Sequence, residues 1–152
     1  MNYWLMKSEP SVYNIDDLER ENYTIWDGVR NYQARNYLRQ MQKGDRAFFY
    51  HSNCQNIGIV GMMEIVETNI LDPTQFDSNS PYFDKKATFS NPRWHTVKVK
   101  FQEKFSNIIS LNTLKEKFTE TDLLVVKKGN RLSVIPVPKN TAEEIKKFSL
   151  AY

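Results

Sequence analysis

The segment Trp26-Asp27-Gly28-Val29-Arg30-Asn31-Tyr32 places an aromatic face, a guanidinium and a planar amide close together along the chain. These are the groups a pocket for an extruded base needs: a face to stack on, polar atoms that match the base edge, and positive charge near phosphate. Trp26 and Trp94 are the candidate stacking faces, and stacking on an aromatic is worth about 1–3 kcal/mol per base. Trp is also among the more buried residues, so the other reading of each is a place in the core. Asn31 offers donors and an acceptor for a Watson–Crick edge, or caps the helix that starts beside it. Lys7, Ser8 and Glu9 follow an apolar run and would emerge at the end of a strand. Glu9 can accept an exocyclic amino proton or pair with Lys7 or Arg30. His51, Ser52 and Asn53 end a second apolar run and either line the same mouth or form its turn. Arg30, Arg35 and Arg131, with Ser133 beside the last, suit phosphate or base contacts, or tie loops together.

A rival chemistry rests on His51 and Cys54, a base and a thiol three positions apart. No third orienting group accompanies them. Asp16 and Asp17 fall where helix capping explains them, and no Gly-rich phosphate loop, metalloprotease helix or zinc-deaminase signature is present. The sequence therefore predicts no catalytic residue, no metal site and no cofactor. A third reading keeps the cleft for a small molecule or a protein.

The elements that position these residues follow from pattern. Met1 to Lys7 reads as a strand ended by Pro10, and Asn14 with Asp17 as a capping arrangement for a short helix. Tyr23 to Trp26 is a short strand turned by Gly28, whose missing Cβ permits a tight reversal. Ala34, Tyr37, Leu38 and Met41 then recur at helical spacing, with Gly44 beyond the end. Arg46 to Ser52 and Ile57 to Glu67 form an expected antiparallel pair. Asp72 to Phe89 is loop-like, and Val97, Val99 and Phe101 alternate with Lys98 and Lys100 as on a half-buried strand. Ser110 to Phe118 is a helix, Gly129-Asn130 a turn, Leu132 to Val137 a strand, and Thr141 with Glu144 a capping box for a last helix. Short strands separated by turns, with helices between them, predict an α+β fold built on a mixed β-barrel with short helices packed on the outside.

Composition agrees. The chain has 152 residues, 40% of them hydrophobic and 26% charged, within the ordinary globular range and the size of one domain. Cys54 is the only cysteine, so no internal disulfide is expected, and a lone thiol suits a reducing compartment, the cytoplasm or another intracellular one. No apolar stretch approaches the roughly 20 residues of a membrane span. The net charge of +3 is modest, but Lys85, Lys86, Arg93, Lys98, Lys100 and Lys104 share a stretch whose only acid is Glu103. That stretch is either a phosphate-contacting stripe or a solvated strand face.

Long motifs then carry a resemblance. Tyr3 to Pro10 and Trp26 to Asn36 resemble the EVE domain family, and the likeness continues through Gly44-Asp45, Phe49 to Asn53, Asp72-Pro73-Thr74, Phe76-Asp77, Pro92-Arg93-Trp94 and Arg131 to Val134. It implies a PUA-like fold over one domain, residues 1–152; a monomer is the expectation. It further implies a non-catalytic module that binds DNA or RNA carrying a modified base. Lys7-Ser8 is similar to a Lys-Ser pair of the architecturally related YTH domains, which hold a methylated adenine in an aromatic cage. Ala142, where an aromatic is expected, and Ile70-Leu71, in place of Tyr-Pro, depart from the pattern.

Overall fold

Two short apolar runs organise the molecule. Strand β1 (Tyr3–Ser8) and strand β3 (Arg46–His51) pair in parallel from Tyr3 opposite Arg46 to Ser8 opposite His51. Tyr3, Leu5, Phe48 and Tyr50 point into one buried cluster, while Trp4, Met6, Ala47 and Phe49 point into another on the opposite face. A strand buried on both faces has no wet side, which is why both runs are continuously apolar and do not alternate. The computed structural model describes residues 1–151; Tyr152, the last position of the expected domain, lies outside the described residues.

Around this pair the sheet grows by antiparallel neighbours: β4 (Gly58–Leu71) beside β3, β5 (His95–Ser110) beside β4, β2 (Tyr23–Ile25) beside β5, and β6 (Val134–Val137) beside β1. The hydrogen-bonded order is β2-β5-β4-β3-β1-β6. The α+β class is as expected, although among the described residues the sheet ends at β2 and β6 without closing. β4 and β5 run well beyond the expected lengths because their pairing shifts register repeatedly, each shift bending the ribbon. At Gly61 the Glu103 carbonyl comes so near that a Cβ would collide with backbone.

Helices cover both faces. Helix α1 (Ile15–Glu21) and helix α2 (Tyr32–Gln40) bury Ile15, Leu18, Ala34 and Leu38 in the cluster that contains Trp26. Helix α3 (Leu111–Lys117) and helix α4 (Lys139–Ala151) bury Leu114, Ala142 and Ile145 in the other. The Asn14–Asp17 capping box opens α1 as expected, and Ser110 caps α3. The capping box expected at Thr141 and Glu144 is not formed. Helix α4 already begins at Lys139, after Pro138, and the buried Thr141 hydroxyl instead donates to the Asp122 carbonyl. Ala142 is fully buried against the sheet, where its small side chain lets α4 approach closely.

Two polar groups hold this frame. Asp45, only 2% exposed, accepts from the Asn2 and Gln42 backbone N–H groups and from the Trp4 indole, each at 3.0 Å. His51 Nε2 accepts the Ile15 N–H at 3.2 Å, which joins the end of β3 to the start of α1 and requires the neutral ring. Burial accordingly holds its pKa below the ordinary 6.5.

Asp45→Ala should lower unfolding stability in urea by about 3 kcal/mol, since buried donors lose a charged acceptor, and Asp45→Asn should cost less. For His51 the folded pKa is the depressed one, so its contribution is complete above the unfolded value and is lost as pH falls through the folded value. Thermal melts at about pH 7 and about pH 5 should therefore show a smaller acid loss in His51→Gln, whose amide oxygen accepts at either pH.

Candidate functional site

Because β1 and β3 are parallel, their C-terminal ends leave the sheet on the same side. There Lys7-Ser8-Glu9 and Ser52-Asn53 diverge, and a cleft of about 1060 Å³ opens between them, the Trp26–Arg30 corner, Tyr82, and Arg131 with Ser133 ahead of β6. Val12, Tyr13, Thr24 and Ile25 complete one wall. Thus Lys7, Ser8, Glu9, Trp26, Arg30, Ser52, Asn53, Arg131 and Ser133, separate in sequence, share one concave surface.

The other expected residues lie off it. The Asn31 side chain accepts from the Ala34 N–H at 2.9 Å, so of its two readings it takes the helix cap. His51 is turned toward α1 by its bond to Ile15 and by an edge-on contact with Phe49. Trp94 is 5% exposed, stacked on Tyr32 at 4.9 Å, with its indole N–H donated to Asp84 at 2.8 Å. A ring fixed on its face and at its nitrogen supports the protein instead of lining the cleft.

Trp26 is both core and cleft. It is 5% exposed and meets Phe49 edge to face at 5.3 Å, yet it forms part of the cleft lining. Its backbone is held by Val97 and by the Thr96 hydroxyl. The floor is therefore rigid. Gly28 follows with φ of +85°, and a Cβ there would stand 2.8 Å from the Tyr82 ring. Glycine thus supplies both the left-handed backbone and the space that lets Tyr82 become a wall.

Arg30 is the clamp of this corner. Its guanidinium bonds the Tyr82 carbonyl at 3.0 Å, the Val29 carbonyl at 2.9 Å, Asp72 at 3.1 Å and the Thr74 hydroxyl at 2.9 Å. Asp72, 2% exposed, also accepts the Gly28 N–H at 2.9 Å. Of the two roles open to Arg30, the loop tie is the one its geometry fills. Glu9 is similarly occupied, accepting from Asn53 at 2.8 Å, so it pairs with neither Lys7 nor Arg30. The Ser8 hydroxyl donates to the Tyr13 carbonyl at 2.5 Å.

With Arg30 and Glu9 held by the bonds above, three charges in the cleft remain for a ligand: among the described residues, Lys7, Asp27 and Arg131 have no ion-pair partner. Burial lowers the Lys7 pKa, and burial followed by the nearby Asp72 charge raises that of Asp27. The sequence reading did not single out Asp27, although it stands inside the motif, or Tyr82, which reaches the cleft only through the fold of its loop. The thiol–imidazole pair gains no support from this geometry, because the His51 acceptor nitrogen is committed to α1. Among the described residues no group of His, Cys, Asp and Glu is arranged to hold a metal.

The EVE domain model matches residues 2–148. Thymocyte nuclear protein 1 of Homo sapiens is 46% identical over 125 residues, which is 75% of this chain and 56% of that protein. That of Danio rerio is 42% identical over 160 residues, 93% of this chain and 68% of that protein. The chain spans about half the length of most of these curated relatives. Among solved structures, a Pseudomonas syringae protein superposes with TM-score 0.93 at 46% identity, covering 97% of this chain and 99% of its own. Human THYN1 in complex with DNA containing 5-methylcytosine superposes with TM-score 0.90 at 37% identity, covering 98% of each chain. The YTH domain of Mmi1 in complex with RNA shares the fold at 10% identity and TM-score 0.56. With its sequence matched over nearly its whole length and its architecture reproduced in such relatives, the chain belongs to the EVE domain family.

Proposed function

We propose that this protein is a non-catalytic reader of a modified base in DNA, and that the base enters the cleft between Trp26 and Tyr82. The observation that carries this reading is the presence in one cleft of two charges of opposite sign without ion-pair partners, the Lys7 ammonium and the Asp27 carboxylate. Cytosine offers a matching edge: its exocyclic amino group donates, as toward a carboxylate, while N3 and O2 accept, as from an ammonium. Thymine presents a carbonyl where cytosine has the amino group, and a carboxylate facing it has no proton to receive. The complex of human THYN1 with 5-methylcytosine DNA supports the same ligand class.

Apolar surface explains sensitivity to the modification. Val12 and Ile25, 60% and 37% exposed, stand on the wall beside Trp26 and offer a methyl group a place out of water. Lys7, Asp27, Tyr82 and Trp26 bind the base, while Ser8, Glu9, Asn53 and Arg30 fix the rim through the bonds described above. Arg131 and Ser133 lie at the opposite lip, where Arg131 is open to a phosphate. No residue of the cleft is assigned a reaction.

Titration of DNA carrying 5-methylcytosine, cytosine or thymine at one extruded position should show a preference for 5-methylcytosine. Asp27→Asn should weaken binding of the cytosine bases by about 1–2 kcal/mol, roughly five- to thirtyfold, and reduce discrimination against thymine. Equal affinity for all of these bases in the native protein, or an unchanged preference in Asp27→Asn, would refute the reading. Trp26→Ala is the poorer probe, because truncating so buried a ring should cost about 3–5 kcal/mol of stability in urea unfolding.

A further inference from the structure

Outside the cleft, helix α2 and the start of β5 build a cluster of cations on an aromatic support. The Tyr32 ring, half exposed, stacks on Trp94 at 4.9 Å, and Arg35 lies over it at 4.8 Å from the centroid. Arg93 reaches the Tyr32 hydroxyl at 3.4 Å. One turn along α2, exposed Arg39 donates its ε N–H to His95 Nδ1 at 3.3 Å. That bond fixes the guanidinium from behind, and among the described residues no acceptor engages its η nitrogens. It also requires the His95 proton on Nε2, which makes that nitrogen a further donor.

Such an arrangement is costly for the protein alone. Among the described residues no carboxylate lies within 4.0 Å of Arg35 or Arg39, and only Asp84, at 3.9 Å, approaches Arg93. The cations press on one another as well: burial and then Arg39 lower the Arg35 pKa, and burial followed by Arg39 and Arg35 lowers that of His95. Arg35 is held by the Arg93 carbonyl and the Asn36 side chain, and Arg93 approaches Asp84, which leaves Arg39 as the member that meets an anionic partner most directly; a guanidinium anchored at its ε nitrogen presents the fork that binds two phosphate oxygens. The cluster is joined to the cleft through Arg30, which lines the cleft and packs on Trp94 at 5.1 Å.

We infer that Arg39, with Arg35, Arg93 and His95, forms a shelf that grips the DNA backbone beside the base held in the cleft. The shelf rests on the reader function only for the identity of the strand that crosses it. It carries no information about the base, so its contribution is the same for modified and unmodified DNA.

The test measures affinity by fluorescence anisotropy for short DNA duplexes with and without 5-methylcytosine over a series of salt concentrations. Arg39→Gln should weaken both duplexes equally, by about three- to tenfold at low salt, and reduce the slope of log affinity against log salt by about one. Lys147→Gln, an equal charge loss on α4 across the sheet, should leave the slope unchanged. An unchanged slope in Arg39→Gln, or the same change in both variants, would overturn the shelf, as would a loss confined to the methylated duplex. If the native protein bound both duplexes equally while Arg39→Gln still lowered the slope, the shelf would stand and the base reading would fall.

Discussion

The parallel pairing of β1 with β3 is the constraint on which the rest depends. The outer backbone edges of the pair are met by β6 and β4, and both of its faces are covered, so each strand feeds two cores at once. One core is closed by α1 and α2, the other by α3 and α4. The same pairing also makes the two strands finish side by side, and the segments that leave them separate into the walls of the cleft. An antiparallel pair would have sent these ends to opposite edges of the sheet.

A second constraint holds the far wall. The loop from Asp72 to Trp94 has little regular structure, yet it is attached to the Trp26–Arg30 corner through the Asp72–Arg30 pair, and its own two ends are tied together by Gln75, whose side chain bonds the Trp94 backbone on both sides. A buried ion pair is worth keeping when every remaining polar site is matched. Here the Asp72 oxygens also meet the Gly28 and Thr74 N–H groups. The tie places Tyr82 against Gly28 and so sets the width of the cleft.

Much of this architecture was legible in the sequence because local rules govern it. The uninterrupted apolar runs marked β1 and β3, the Asn14–Asp17 capping box marked α1, and the spacing from Ala34 to Met41 marked α2. What escaped was long-range. The extension of β5 to Ser110 depends on register shifts against β4, and no periodicity survives across them. Thr141 resembles a cap, but Pro138 starts the helix first. At the site, residue type was a fair guide to which segments converge and a poor guide to which side chains remain free. Arg30, Asn31, Glu9 and His51 are all spent on intramolecular bonds, whereas Asp27 and Lys7 are not. That distinction depends on partners from distant segments, which composition and spacing do not specify.

Trp26 gives the cleft an unequal capacity for change. Its ring is fixed by Phe49 and its backbone by β5, so altering the floor disturbs the core. Val12, Asp27 and Tyr82 bear no comparable burden. The walls of the cleft can thus be altered with less disturbance to the core than its floor.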